Sequence, residues 1–141
     1  MRWGLIAIAA LAVAGAGVWW LIPERAAPVS GGPVDLALVE IRLPDRLSAE
    51  AEMGRRAFEA KCAVCHGINA VGQYGGGPPL VHKIYEPGHH GDESFQRAVA
   101  VGVRAHHWPF GNMPPVEGLT RGDVAMITAY VRTLQRANGI Y

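Results

Sequence analysis

The chain has 141 residues, half of them hydrophobic and 18% charged, with 13 Lys and Arg against 12 Asp and Glu. That length allows one small domain with appendages, and near-neutrality without a basic stripe excludes nucleic acid as a partner. The hydrophobic average hides two populations: residues 3–22, WGLIAIAALAVAGAGVWWLI, carry no charge, whereas from residue 48 onward nine Lys and Arg stand against eight Asp and Glu.

The N-terminal run is the first element. As a helix, twenty apolar residues rise about 30 Å, the thickness of a bilayer's hydrocarbon core. Trp19 and Trp20 sit at its far end, where indoles favour the headgroup zone, and Pro23, Glu24 and Arg25 close it. Residues 1–22 therefore read as a single transmembrane signal anchor. A cleaved signal peptide is the competing reading, but its apolar region is usually only about 7–15 residues. Its small-residue site, Ala12-Val13-Ala14, would fall inside the run. Either reading exports the rest of the chain.

Residues 23–47 form a Pro- and Gly-containing linker, with Pro23, Pro28, Pro33, Pro44 and the pair Gly31-Gly32. Within it, Val39, Ile41 and Leu43 alternate with Glu40 and Arg42, a strand-like period. That stretch is either plain linker or a segment lying against the domain or a partner. The domain proper is 48–141. Its first helix runs from Ser48 to about Cys62, with Ser48 as N-cap and Glu50 and Glu52 in the positive first turn. A glycine- and proline-rich loop, NAVGQYGGGPPL, separates it from a second helix that begins near Asp92 and carries Phe95, Val99 and Val103 on one face. The third helix has the clearest start: Thr120 and Asp123 make a capping box, and Leu119 can staple onto Val124. Val124, Ile127, Val131 and Leu134 then recur at helical spacing beside Tyr130, and Gly139 follows the end. No strand pair is evident, so the class is all-α with long loops.

Both cysteines lie in AKCAVCHGIN, as Cys62-Ala63-Val64-Cys65-His66. A thioredoxin-type disulfide would need its CxxC inside alternating strands and helices, which this chain lacks. A zinc site would need two further ligands from His82, His89, His90, His106 and His107, none of which reproduces finger spacing. The third reading is covalent haem attachment, for which CxxCH is itself the signature. Cys62 and Cys65 would each form a thioether to one vinyl group, and His66 would bind the iron.

From here the sequence resembles the class I c-type cytochromes, in particular small membrane-anchored bacterial ones, over residues 48–141. GRRAFEAKCAVCHG resembles the family's N-terminal helix, with Gly54 and Phe58 preceding the motif. GGGPPL resembles its Gly-Pro-x-Leu loop, which implies that the Pro78 carbonyl accepts from Nδ1–H of His66. FGNMPP resembles the loop that supplies an axial methionine, which implies Met113 as second iron ligand. Met53 and Met126 lie on expected helices and read as packing residues. Tyr130 stands where the family has an aromatic packing on the first helix, and Gly54 would permit that close crossing. The resemblance thus implies a small cytochrome c fold wrapped around one covalent haem c, preceded by a transmembrane helix.

The remaining histidines have plainer readings. His82, His89 and His90 read as solvated loop residues, and His106 and His107 as an exposed pair. His106, His107 or Trp108 could alternatively donate to a haem propionate, since a buried carboxylate needs such partners; bis-His ligation through His106 or His107 is the more ambitious alternative. With both axial positions filled by protein, no site remains for a small-molecule substrate, and an electron carrier is implied rather than an enzyme. The expected partners are redox proteins in or near the inner membrane, with the haem domain on its periplasmic side. A fixed subunit of a respiratory or dehydrogenase complex is the alternative, and an open-site sensor or peroxidase a further one.

Overall fold

The structure is a computed structural model and describes residues 37–141. The expected anchor and the first part of the linker lie outside the described residues. Among those that are described, no helix is long and apolar enough to cross a membrane.

The described residues form four α-helices: α1 Ala49–Lys61, α2 Ala63–His66, α3 Asp92–Val101 and α4 Arg121–Ala137. Short 3-10 turns lie at Ile68–Ala70 and Lys83–Tyr85. The described residues hold no named strand, only an antiparallel bridge between Val103 and Met113. The all-α expectation is therefore met.

The helix ends follow from the capping chemistry. The Ser48 hydroxyl accepts from the Ala51 N–H at the start of α1. At α4, Thr120 accepts from the Asp123 N–H while the Asp123 carboxylate accepts from the Thr120 N–H, closing the expected box. Leu119 packs against the core beside this cap. The second helix is shorter than its apolar pattern suggests. It stops at Val101 because Gly102 turns to φ 75°, ψ −177°, so Val103 lies beyond it.

The core lies where α1 crosses α4. Phe58 and Tyr130 are both buried, with ring centroids 5.7 Å apart, and Ala51, Ala70, Val81, Ile127, Val131 and Leu134 complete the cluster. Gly54 makes the crossing possible: a Cβ there would lie 1.9 Å from the Met126 carbonyl oxygen. The Tyr130 hydroxyl donates to Asn69 Oδ1 at 3.0 Å, holding a residue that sits at φ 58°. Met53, expected to pack, is 44% exposed on α1, because the face of α1 that meets α4 is the one carrying Ala51, Gly54 and Phe58.

A second latch ties the loop between residues 80 and 92 to α4. The buried Arg132 donates to Tyr85 O and His90 O and to Asp92 Oδ1, and lies over the Phe95 ring. The fully buried Gln135 donates to Leu80 O and Tyr85 O. The segment placed in the linker also differs from a plain tether. Leu38 and Val39 N–H groups donate to Val71 O, and Arg42 exchanges hydrogen bonds with the Asn138 amide. Ile41 packs against the core. The alternation in VEIRL thus buries Val39 and Ile41 partly on the domain without forming a strand, because the neighbouring chain offers only isolated hydrogen-bonding groups.

Candidate functional site

A cavity of about 590 Å³ opens between α1, α2, α3 and the loop after α3. That size is within the roughly 300–1,000 Å³ range of cofactor and ligand sites. Cys62, Cys65, His66, Pro78 and Met113, the residues singled out in the sequence, all line it. Neither Met53 nor Met126 does.

The histidine is placed by the helix that carries the motif. The His66 N–H donates to Cys62 O at 2.9 Å, so the single turn of α2 fixes His66 directly after the two cysteines. His66 is buried, and its Nδ1 bonds to Pro78 O at 2.9 Å, as the resemblance implied. That bond fixes the tautomer with Nε2 free to ligate and raises its basicity. Burial pulls the His66 pKa below the ordinary histidine range, and the Pro78 carbonyl only partly offsets this. The ring is therefore neutral, the form a metal needs. Gly76 and Gly77 let the GGGPP loop lie against Cys65: a Cβ on either would approach Cys65 O to 2.8 or 3.1 Å.

Burial, with a smaller contribution from Cys65, pushes the Cys62 thiol up to about 11. The attacking thiol of an exchange site has a depressed value instead, so Cys62 is not set up as one. Among the described residues, neither cysteine belongs to a cluster of three or more metal-ligating side chains, which also counts against a zinc site here.

Met113 is held by backbone pairing that the sequence reading missed. Val103 and Met113 exchange N–H···O bonds of 2.9 and 3.0 Å, closing the neck of the loop 104–112. Asn112 Oδ1 accepts from the Ala105 N–H just above it. Gly102 sits against this neck, where a Cβ would come 2.5 Å from Met113 O. The only sequence signal was the glycine that breaks an apolar period.

The α3 side of the cavity is largely apolar, though Ser94 and Arg97 also line it. Phe95, Ala98 and Val99 of α3 face the cavity, and α3 contributes no fully buried residue. The Trp108 ring lies on the cavity wall, and its Nε1 is buried with no hydrogen-bond partner. Burial pushes the neighbouring Tyr85 phenol up to about 12, and the indole N–H offsets part of this without reaching hydrogen-bond geometry. A buried donor left unpaired costs about 1–3 kcal/mol, so it marks a place where a ligand's acceptor belongs. An apolar slot with two thiols and a neutral imidazole at one side, a thioether at another and an orphaned N–H fits a haem with its carboxylates.

Of the loop histidines expected to be solvated, His89 is exposed, whereas His82 and His90 are partly buried. His90 is partly buried, with Nδ1 bonded to Ile84 O at 2.6 Å, and His89, His90 and His107 converge. The cause is the loop 104–112 folding back onto the turn at 86–91, a contact that no local pattern announces. His106 and His107 remain exposed, as expected.

Comparison with known proteins gives one match. A family model described as cytochrome c covers residues 51–135, and no curated protein or solved structure matches the chain. The match takes in most of α1, the CxxCH motif, the Met113 loop and most of α4, and more than half of the whole sequence. The chain belongs to the cytochrome c family, in which covalently bound haem c serves electron transfer.

Proposed function

We propose that the chain is a one-electron carrier with a single haem c, attached through Cys62 and Cys65 and ligated by His66 and Met113. The observation that carries this reading is the convergence of those residues on one cavity, with His66 oriented by Pro78 and Met113 pinned by Val103. When bound, haem supplies reversible one-electron iron chemistry, and His/Met ligation raises its potential.

The protein's part is positioning. His66 presents a neutral Nε2, and Met113 presents a soft thioether on a backbone held at both N–H and C=O. Trp108 offers its unpaired indole N–H to a propionate. Phe95, Ala98 and Val99 of α3 supply apolar lining against which the haem face would pack. With both axial positions occupied by side chains, ligand exchange has no place in the cycle, and the carrier reading is favoured over an open-site enzyme.

The same reading keeps residues 1–22 as an inner-membrane anchor with the haem domain on the periplasmic side. Since residues 38–42 are held on the domain, the tether is shorter than the 23–47 linker expected from the sequence. A short tether favours redox partners already in that membrane, whether met in passing or as a fixed complex. Removing residues 1–22 behind a cleavable signal is expected to release a soluble haem protein; continued membrane association would refute the anchor.

Ligation is tested by substitution and optical spectroscopy. Met113→Ala is expected to abolish the weak near-infrared sulfur-to-iron band of the oxidised protein, admit exogenous ligands and lower the potential. Met53→Ala is expected to leave all three unchanged. The reverse pattern would assign the wrong methionine.

A further inference from the structure

We propose a second metal site: His89, His90 and His107 bind a divalent late transition ion, copper(II) most tightly, at the mouth of the haem cavity. One ligand atom from each ring lies within 4.8 Å of the others. His89 Nε2 and His107 Nε2 are 3.3 Å apart. Two nitrogens bound at about 2.0–2.1 Å are separated by about 2.9 Å in the tetragonal geometry of copper(II) and about 3.3–3.4 Å in a tetrahedral site, so that pair is within a few tenths of an ångström of ligand spacing in either. In the metal-free protein the same spacing serves one ring nitrogen donating to the other.

The third ring is fixed in one tautomer. His90 Nδ1 donates to Ile84 O at 2.6 Å, which fixes the tautomer and leaves Nε2 with its lone pair free. The carbonyl of His90 is in turn held by Arg132, so the ring is anchored to α4 through its own backbone. His107 comes from the other side, on the loop whose neck is closed by the Val103–Met113 bridge. Two independently braced segments therefore bring the three imidazoles together. The ring of His106 stands 4.2 Å from that of His107, outside the triad, and water completes the coordination.

The donor set selects the ion. Three imidazoles with no carboxylate suit zinc, nickel and copper rather than magnesium or calcium, and affinity along the first-row series peaks at copper(II). His90 and His107 also line the haem cavity, so the ion would sit beside the redox centre without replacing any of the residues that hold it. The site rests on histidine geometry alone and stands whether or not Met113 ligates iron.

The test uses the full-length, haem-loaded, oxidised protein, stripped with chelator and titrated with copper(II). The expected result is one equivalent bound, with copper paramagnetic resonance showing hyperfine coupling to imidazole nitrogens. His89→Ala and His107→Ala, both exposed positions, are each expected to weaken binding by about 100-fold or more, since even groups that only orient a ligand are worth about 10–100-fold. The haem spectrum of His89→Ala, at a position that does not line the haem cavity, must match the parent, which separates a lost ligand from a lost fold. Absence of stoichiometric binding, or affinity unchanged by both substitutions, would overturn the proposal.

Discussion

Gly102→Ala probes how the loop carrying Met113 is held, and its cost can be worked from two observations. Gly102 sits at φ 75°, ψ −177°, backbone that is essentially reserved for glycine, and forcing another residue there costs about 1–3 kcal/mol. The new Cβ would also lie 2.5 Å from Met113 O, a backbone atom engaged in the bridge to Val103. Relief requires that carbonyl to move, which breaks one or both of the 2.9 and 3.0 Å bonds, at about 0.5–1.5 kcal/mol each. Together the loss is about 1.5–6 kcal/mol, which for a domain of this size lowers Tm by at least about 6 °C. The spectroscopic consequence is more specific: the near-infrared sulfur-to-iron band should weaken or disappear at temperatures where the domain is still folded. Gly111→Ala is the control, since Gly111 has φ 85° but nothing within 4 Å of a Cβ. It should show only the backbone cost of about 1–2 kcal/mol and keep the band. If Gly102→Ala has the parent's Tm and an intact band, the bridge is not what positions Met113.

Three further substitutions test the scaffold. Gly54→Ala places a Cβ 1.9 Å from Met126 O, where neither helix backbone can yield; a loss of about 3 kcal/mol or more is expected in thermal unfolding followed by circular dichroism. Tyr130→Phe removes the donor to Asn69 Oδ1 but keeps the ring on Phe58, so a loss of only about 0.5–1.5 kcal/mol is expected, with the haem spectrum unchanged. Arg132→Met leaves the His90 carbonyl without its donor and the Tyr85 carbonyl with Gln135 alone; about 2–4 kcal/mol should be lost in denaturant unfolding, with faster amide exchange confined to the 80–92 loop.

What the sequence disclosed depended on how far apart the cooperating residues are. The start of α4 was legible because Thr120 and Asp123 satisfy each other within one turn. The CxxCH motif was legible because its three residues act within five positions. The Gly54 crossing came through resemblance, and a Cβ built there gives it its steric reason. The Val103–Met113 bridge was not legible: it joins single residues, shows no period, and its necessary glycine looks like an ordinary helix stop. The latch at Arg132 was hidden for the same reason, since its acceptors at 85, 90 and 92 are recognisable only once the loop has folded over α4. The three histidines stand 18 positions apart at most, and only the folding back of the loop 104–112 unites them.

The second helix shows a different kind of limit. Its apolar period was read as a face that seeks a core, and that face exists, yet no residue of α3 is fully buried. Phe95, Ala98 and Val99 look instead into the cavity. Hydrophobic periodicity identifies a face that must leave water, but it is silent on what covers it. Here α1 and α4 supply a protein core, while α3 and the loop 104–112 line a space of about 590 Å³. At about 25 cal/mol per Å², apolar surface facing such a space contributes fully to stability only when a ligand fills it. The half of the domain built from α3 and the Met113 loop therefore depends on haem for its cohesion, whereas the α1–α4 crossing does not. Amide exchange in a Cys62→Ala/Cys65→Ala variant should show this division, with protection lost at α3 and residues 103–113 and largely kept at α4. Equal loss across all four helices would mean that the crossing, too, requires the cofactor.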